Sequence, residues 1–283
     1  MDITVVIPTY NRAHTLARAL DSVLNQSYTA KEIIVVDDGS DDDTANLIKQ
    51  RYPNIVYIAQ NHGGVSKARN TGIFAASYSW IALLDSDDMW HKTKLAEQCS
   101  ALAKDTQSPV CHTDEIWIRN GNRVNPKKKH AKKGGRIFRH CLPLCAISPS
   151  SAIISRELLI DIGLFDKSLP ACEDYDLWLR ITAEHPVNFI DKPLITKYGG
   201  HADQLSRQHW GMDRFRVKAL EKVLRLESLS NDNRRAALHM LIEKLDILAA
   251  GAQKHGNTAL LDCMQKKQYA YRQQLKRLTN SYD

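Results

Sequence analysis

The chain has 283 residues, 43% of them hydrophobic and 25% charged, a composition suited to a soluble globular protein with room for a sizeable core. Its 39 basic and 32 acidic side chains leave a net charge of +7, which suits anionic ligands, nucleic acid or an anionic membrane surface without choosing among them. The six cysteines (Cys99, Cys111, Cys141, Cys145, Cys172 and Cys263) contain no pair at zinc-knuckle spacing and read as reduced thiols. No apolar run approaches the ~20 residues of a membrane span. The chain opens directly on a strand pattern, so the expected location is the cytoplasm, at most peripheral on the inner face of a membrane.

Taken in order, residues 3–7 form a strand ended by Pro8, and Thr9, Tyr10, Asn11 and Arg12 form a loop. Residues 13–24 show helical periodicity, and residues 32–36 are a second buried strand running into Asp37, Asp38, Gly39 and Ser40. A helix over 45–52, a strand over 55–59, a polar loop over 60–64 and a helix over 66–77 follow. Residues 80–84 are a strand buried on both faces that runs into Asp85, Ser86, Asp87 and Asp88. This order predicts a largely parallel sheet with its polar clusters on one edge.

Asp85 and Asp87 are one residue apart, and unpaired carboxylates are costly at the end of a buried strand. A hard divalent cation completed by a diphosphate would relieve them, and a solvated acidic turn is the alternative.

Beyond this point the pattern predicts a helix over 93–106, a strand over 109–113, a hairpin over 116–124 turning at Asn120, Gly121 and Asn122, and a strand over 151–154. Helices over 156–162 and 172–183 and short strands over 189–190 and 195–198 follow. Between them, residues 127–139 carry Lys127, Lys128, Lys129, Lys132, Lys133, Arg136 and Arg139. This run reads either as a solvated loop or as a contact for an anionic acceptor or membrane surface. From about residue 210 the strand signals stop, and three helices are expected, broken near 228–232 and 255–257. Their apolar stripes suit packing on the core, a homodimer contact or a membrane surface.

Five motifs now stand in order. Pro8-Thr9-Tyr10-Asn11-Arg12 follows the first strand and Asp37-Asp38-Gly39-Ser40 the second. Then come Gly64-Val65-Ser66-Lys67-Ala68-Arg69-Asn70 with Gly72, Leu84-Asp85-Ser86-Asp87-Asp88, and Glu173-Asp174-Tyr175-Asp176-Leu177-Trp178. In this combination residues 1–205 resemble the family 2 glycosyltransferases, inverting nucleotide-sugar enzymes of the GT-A fold.

The resemblance implies an α/β GT-A domain over 1–206, with a nucleotide-sugar half (1–114) and an acceptor half (115–206), and a helical region over 207–283. It implies a nucleotide site at Pro8, Thr9, Tyr10, Arg12, Asp38, Arg69 and Ser86. Tyr10 offers a stacking face, and the Asp38 carboxylate can accept a base imide N–H, which favours uridine over cytidine. It puts Mn²⁺ or Mg²⁺ on Asp85 and Asp87, with His201 as the third ligand. It makes Asp174 the general base and places Glu173 at the acceptor. Trp178 is a core side chain or a lining of the acceptor pocket. The implied partners are a nucleotide-sugar donor and a glycan or lipid-linked acceptor.

His62 departs from the asparagine more usual in this family, and the lysine-rich run over 127–139 falls outside the resemblance. Two other classes compete. A sugar-phosphate nucleotidyltransferase usually carries a glycine-rich loop after its first strand, where this chain has Pro8 to Arg12. A basic nucleic-acid-binding protein is permitted by charge but lacks a module, so no nucleic acid is expected.

Overall fold

The structure is a computed structural model and describes residues 1–200 and 209–280. Four parallel strands form its first half: β1 (Ile3–Thr9), β2 (Glu32–Asp37), β3 (Val56–Ala59) and β4 (Trp80–Leu83), ordered β3-β2-β1-β4. Successive side chains point to opposite faces, so each strand feeds two cores. Val6, Ile34, Val36, Ile81 and Leu83 face one hydrophobic cluster, while Ile3, Val5, Ile7, Val35 and Ala82 face the other. Burial on both faces is why these strands read as unbroken apolar runs. Helix α1 (Ala13–Leu24) covers the second cluster through Leu16, Leu20 and Val23.

Helices α2 (Thr44–Arg51) and α3 (Val65–Ala75) complete the crossovers. On α3, Gly72 lets the helix lie directly on the sheet. A Cβ there would come within 2.4 Å of Val6 Cγ1 and 3.2 Å of Val36 Cγ2.

The second half of the sheet is mixed, where the β-α-β-α order of the first half gives the parallel strands expected from it. β8 (Ile153–Ser155) runs antiparallel to β4, and β6 (Val110–Arg119) runs antiparallel to β8. β9 (Asn188–Gly199) is parallel to β6, and β5 (Met89–Trp90) is antiparallel to β9. β8 is reached through short irregular turns, which do not impose the parallel sense that a helical crossover does.

β6 is one strand where the sequence pattern divides it. A register shift at Asp114 interrupts the alternation that would mark it as continuous. It turns into β7 (Asn122–Val124) through Asn120 (φ 49°) and Gly121 (φ 78°), the pair of positive φ values a tight hairpin needs. Helices α4 (Lys94–Lys104), α5 (Phe138–Cys141), α6 (Arg156–Asp161) and α7 (Glu173–Glu184) pack around this half.

The C-terminal region forms α8 (Asp213–Val223), α9 (Asn231–Lys254) and α10 (Thr258–Asn280), with breaks where the sequence pattern puts them. Of the three uses open to its apolar stripes, packing on the core is the one seen. Phe215, Leu220, Leu238, Leu241 and Leu245 join the cluster that holds Tyr175 and Trp178. Lys222 Nζ seals the contact, 2.7 Å from Asp166 and 3.1 Å from Asp176. Among the described residues no helix is long and apolar enough to cross a membrane.

The Gly72 contact is open to test. Replacing Gly72 with Ala should cost about 1–3 kcal/mol through overpacking, read as a lower urea midpoint with the slope unchanged.

Candidate active site

The carboxyl ends of β1, β2 and β4 share one edge, and hydrogen bonds tie their loops together there. Asp38 N donates to Thr9 O (2.9 Å), Asn11 N to Ser40 Oγ (2.8 Å) and Asp41 N to Asn11 Oδ1 (2.9 Å). Asn11 holds a φ of 52° to make this link. Asp37 is buried and accepts from Tyr57 Oη (2.6 Å) and Ser40 N (2.8 Å).

Asp38, expected to read a base, has a structural task as well. It is 3% exposed and gathers the loop after β3. Gln60 Nε2 (2.6 Å) and Gly64 N (2.7 Å) donate to it, and Gly63 N donates to both its oxygens at 3.1 Å. His62 Nδ1 lies 3.0 Å away. Pro8 and Thr9 are buried in β1, and Ser86 is buried too, so none of the three offers an open side chain. Tyr10 is 44% exposed, and its ring centroid is 4.3 Å from that of His62. The departure at His62 thus lands against the expected stacking residue.

After β4 the chain turns, closed by Asp88 N donating to Asp85 O (3.0 Å). Ser150, which the sequence reading passed over, holds this turn. Its Oγ donates to Asp88 Oδ2 (2.6 Å) and accepts from Asp85 N (3.1 Å). Asp88 is buried, and burial together with the neighbouring Asp87 charge pushes its carboxyl well above the usual range.

Asp85 and Asp87 differ from it in being partly open, with side-chain exposures of 26% and 22%. Arg12 Nη1 pairs with Asp87 Oδ2 at 3.3 Å, so Arg12, expected at the nucleotide, meets the acidic turn. Arg18 Nη2 donates to Asp87 O (2.6 Å) and its guanidinium lies 3.7 Å over the Tyr198 ring. Lys197 belongs to the same neighbourhood and was not anticipated. Against the cost of burial, the charges of Glu115, Asp88 and Asp85 raise its pKa above the ordinary lysine value.

Arg69 joins this turn to the predicted base. Its side chain is 4% exposed; Nη2 is 2.7 Å from Asp85 Oδ1 and Nη1 is 2.7 Å from Glu173 Oε1. Against the cost of its burial, Asp85 is held below the usual carboxylate range by this guanidinium. Arg69, expected on base or phosphate, is therefore spent on two acids. Glu173, expected at the acceptor, is buried on Arg69 instead; burial and the Asp174 charge push it up to about 7.

Asp174 is half-buried at the start of α7. Cys172, in the left-handed region (φ 63°), directs the chain into this helix. Asp174 Oδ1 accepts from Tyr175 N (2.7 Å), and Oδ2 lies 3.0 Å from Cys145 Sγ. Trp178 is fully buried, so of its two readings the core one holds and the acceptor-pocket one is corrected. It sits one turn after Asp174 in α7, within the hydrophobic core.

His201 lies outside the described residues, and among those described no group of three His, Cys, Asp or Glu side chains is arranged to hold a metal.

The basic run is not uniformly solvated. Lys132 has a side-chain exposure of 5%, with Nζ 3.1 Å from both Glu115 Oε2 and Ala146 O. Lys127, Lys128, Lys129, Lys133, Arg136 and Arg139 stay exposed around this anchor.

A helix-flanked sheet whose acidic turn and acidic helix start meet at one edge defines an α/β transferase architecture. A family model described as glycosyl transferase family 2 matches residues 4–163. The chain belongs to that family and has its GT-A type of fold. It is 31% identical over 194 residues to the Escherichia coli UDP-Glc:alpha-D-GlcNAc-diphosphoundecaprenol beta-1,3-glucosyltransferase WfgD, over 67% of this chain and 73% of that one. It is 31% identical over 207 residues to an uncharacterised glycosyltransferase of Rickettsia prowazekii, over 71% of this chain and 65% of that protein. The match spans only 35% of a Rickettsia felis relative at 30% identity. S. aureus TarS 1–349 in complex with UDP-GlcNAc shares the fold with a TM-score of 0.70 at 20% identity, covering 100% of this chain and 91% of that chain.

Breaking the Arg69 bridge is the direct test of the site's construction. Replacing Arg69 with Met leaves the buried Glu173 and the partly open Asp85 without their counter-charge and should cost about 3 kcal/mol in chemical denaturation.

Proposed function

We propose that this chain transfers a sugar from a UDP-linked donor to a hydroxyl of a lipid-linked or cell-surface glycan acceptor, with inversion at the anomeric carbon. One observation carries the reading: Arg69 touches both Asp85 and Glu173, which ties the acidic turn to the first turn of α7, where Asp174 follows Glu173. Asp174 is half-buried at the start of α7, next to the Glu173 that Arg69 holds. A carboxylate so placed takes the acceptor hydroxyl's proton as the new C–O bond forms and the bond to the diphosphate breaks. The electron pair of the broken bond leaves with the nucleotide. Lys197, kept charged by its acidic neighbours, adds positive potential to the cleft.

Asp85 and Asp87 supply hard, partly exposed carboxylate oxygens, a donor set that fits Mg²⁺ or Mn²⁺ better than zinc. When bound there, such a cation supplies counter-charge to the departing diphosphate. Tyr10 offers its exposed ring to the base. For Asp38 to accept a uracil imide, one of its four present donors must yield.

The acceptor class is supported by WfgD and by the Escherichia coli enzyme WfaP, 29% identical over 215 residues, both named for diphosphoundecaprenol-linked acceptors. TarS, whose fold this chain shares, was solved with UDP-GlcNAc. The exposed lysines and arginines of residues 127–139 suit an anionic acceptor or the inner face of a membrane, held at the site's margin by Lys132. A nucleotidyltransferase reading has no glycine-rich loop after β1 to support it.

Replacing Asp174 with Asn should lower turnover by about 10²–10⁴-fold while UDP affinity holds. Loss of UDP binding together with turnover would remove Asp174 from the role of base. Separately, EDTA should abolish UDP release from the donor and Mn²⁺ should restore it. Unchanged release in EDTA would remove the cation, and release of pyrophosphate would favour the nucleotidyltransferase.

A further inference from the structure

Among the described residues, each carboxylate oxygen of Asp174 has one hydrogen-bond partner. One oxygen accepts from Tyr175 N, its own neighbour, at 2.7 Å. Among the described residues the other meets one side chain, Cys145, whose Sγ lies 3.0 Å from Oδ2. Cys145 sits between α5 and a short turn at Pro149–Ser151. Its segment is fixed on both sides of the thiol: Tyr175 Oη donates to Leu142 O (2.6 Å), and Lys132 Nζ donates to Ala146 O (3.1 Å). Tyr175 thus ties this stretch of backbone to the start of α7, and Lys132 ties it to the basic loop and to Glu115 of β6.

The Cys145 sulfur also lies 3.1 Å from Ile147 O. One S–H serves one acceptor at a time, and a carboxylate is the stronger acceptor of the two.

We propose that Cys145 is the positioning residue for Asp174: its thiol fixes the Oδ2 oxygen, so that the carboxylate enters the reaction in one rotamer. This rests on the reading of Asp174 as the general base. A thiol suits the task better than a hydroxyl or an amide. It is a weak donor, so it fixes the position of the carboxylate oxygen without neutralising it. Burial and the Asp174 charge keep the Cys145 thiol well above its usual pKa, so it stays protonated and able to donate. The other titratable groups beside Asp174 are Glu173 on its own helix and Cys172 just before it. Lys132 and Lys197 face the thiol from the basic loop and β9.

The test compares the full-length wild type with the variants Cys145→Ala, Cys145→Ser and Asp174→Asn. The readouts are kcat, KM and the pH dependence of kcat/KM, with UDP titration as the check on folding. Cys145→Ala should lower kcat about tenfold and leave both KM values within about twofold, as expected when a group acts only on the reacting arrangement. Its acid limb should move to higher pH, because a carboxylate that loses a donor is more easily protonated. Cys145→Ser should recover kcat to within about threefold, and its stronger O–H donor should move the acid limb to lower pH than in the wild type.

Cys145→Ala with wild-type kcat and an unmoved limb, beside an inactive Asp174→Asn, overturns the proposal while leaving the base reading intact. A loss equal at every pH also overturns it, because it marks a merely structural side chain. Turnover retained by Asp174→Asn overturns both. Should Cys145→Ala fail to bind UDP, Cys145→Ser decides: a limb moved to lower pH supports the proposal, and an unmoved one overturns it.

Discussion

A guanidinium buried between two carboxylates is the interaction on which the site depends. Arg69 is 3% exposed and reaches Asp85 and Glu173 with its two terminal nitrogens. Burying three charges is costly, and the cost is offset only while all three stay together with good geometry. The planar fork of arginine meets that demand at fixed angles, which a lysine could not. The acidic turn after β4 and the first turn of α7 are 88 residues apart in sequence when counted from Asp85 to Glu173. Through Arg69 they become neighbours, and Asp174, next to Glu173, is carried to the cleft with them.

The same device recurs around the edge at smaller scale. Asp38 draws residues 60–64 across the base side by accepting their N–H groups. Asp88, the acid of the turn that stays buried, takes Ser150 Oγ and the Tyr198 amide and so ties β4 to β9. Glu115 takes Lys132 and pins the basic run. Each loop of the site is held by one buried acid that spends its charge on the protein. The acids that keep exposed surface, Asp85, Asp87 and Asp174, are those with chemistry proposed for them. This division lets a dense cluster of negative charge persist on one edge of a sheet.

What was readable in the chain follows from the same physics. Strands buried on both faces stand out as apolar runs, and each such run ended in the polar cluster that now lines the edge. The helical stripes beyond residue 210 were equally plain, because a period near 3.6 survives whatever partner the helix finds. Which partner it finds is a tertiary matter, and the packing of these stripes on the core could not be told from their period.

What the motifs left open has one cause. Trp178 could be core or pocket lining, and the burial of Glu173 and Arg69 against each other went unseen, because a motif names residues without saying which side of a helix faces the core. Lys132 looked like its neighbours in a lysine run, and only Glu115, far off in β6, makes it different. Cys145 has no local signal, since its significance is a 3.0 Å contact with a residue 29 positions away.

The central claim is that one carboxylate base acts across the cleft from the departing nucleotide, in a single displacement. The anomeric configuration of the product tests it most directly. With an α-linked UDP-sugar as donor, proton NMR of the first product should show the β anomer. An α-linked product would contradict the account, since it requires a covalent intermediate or attack from the leaving-group face, and Asp174 as placed here serves neither.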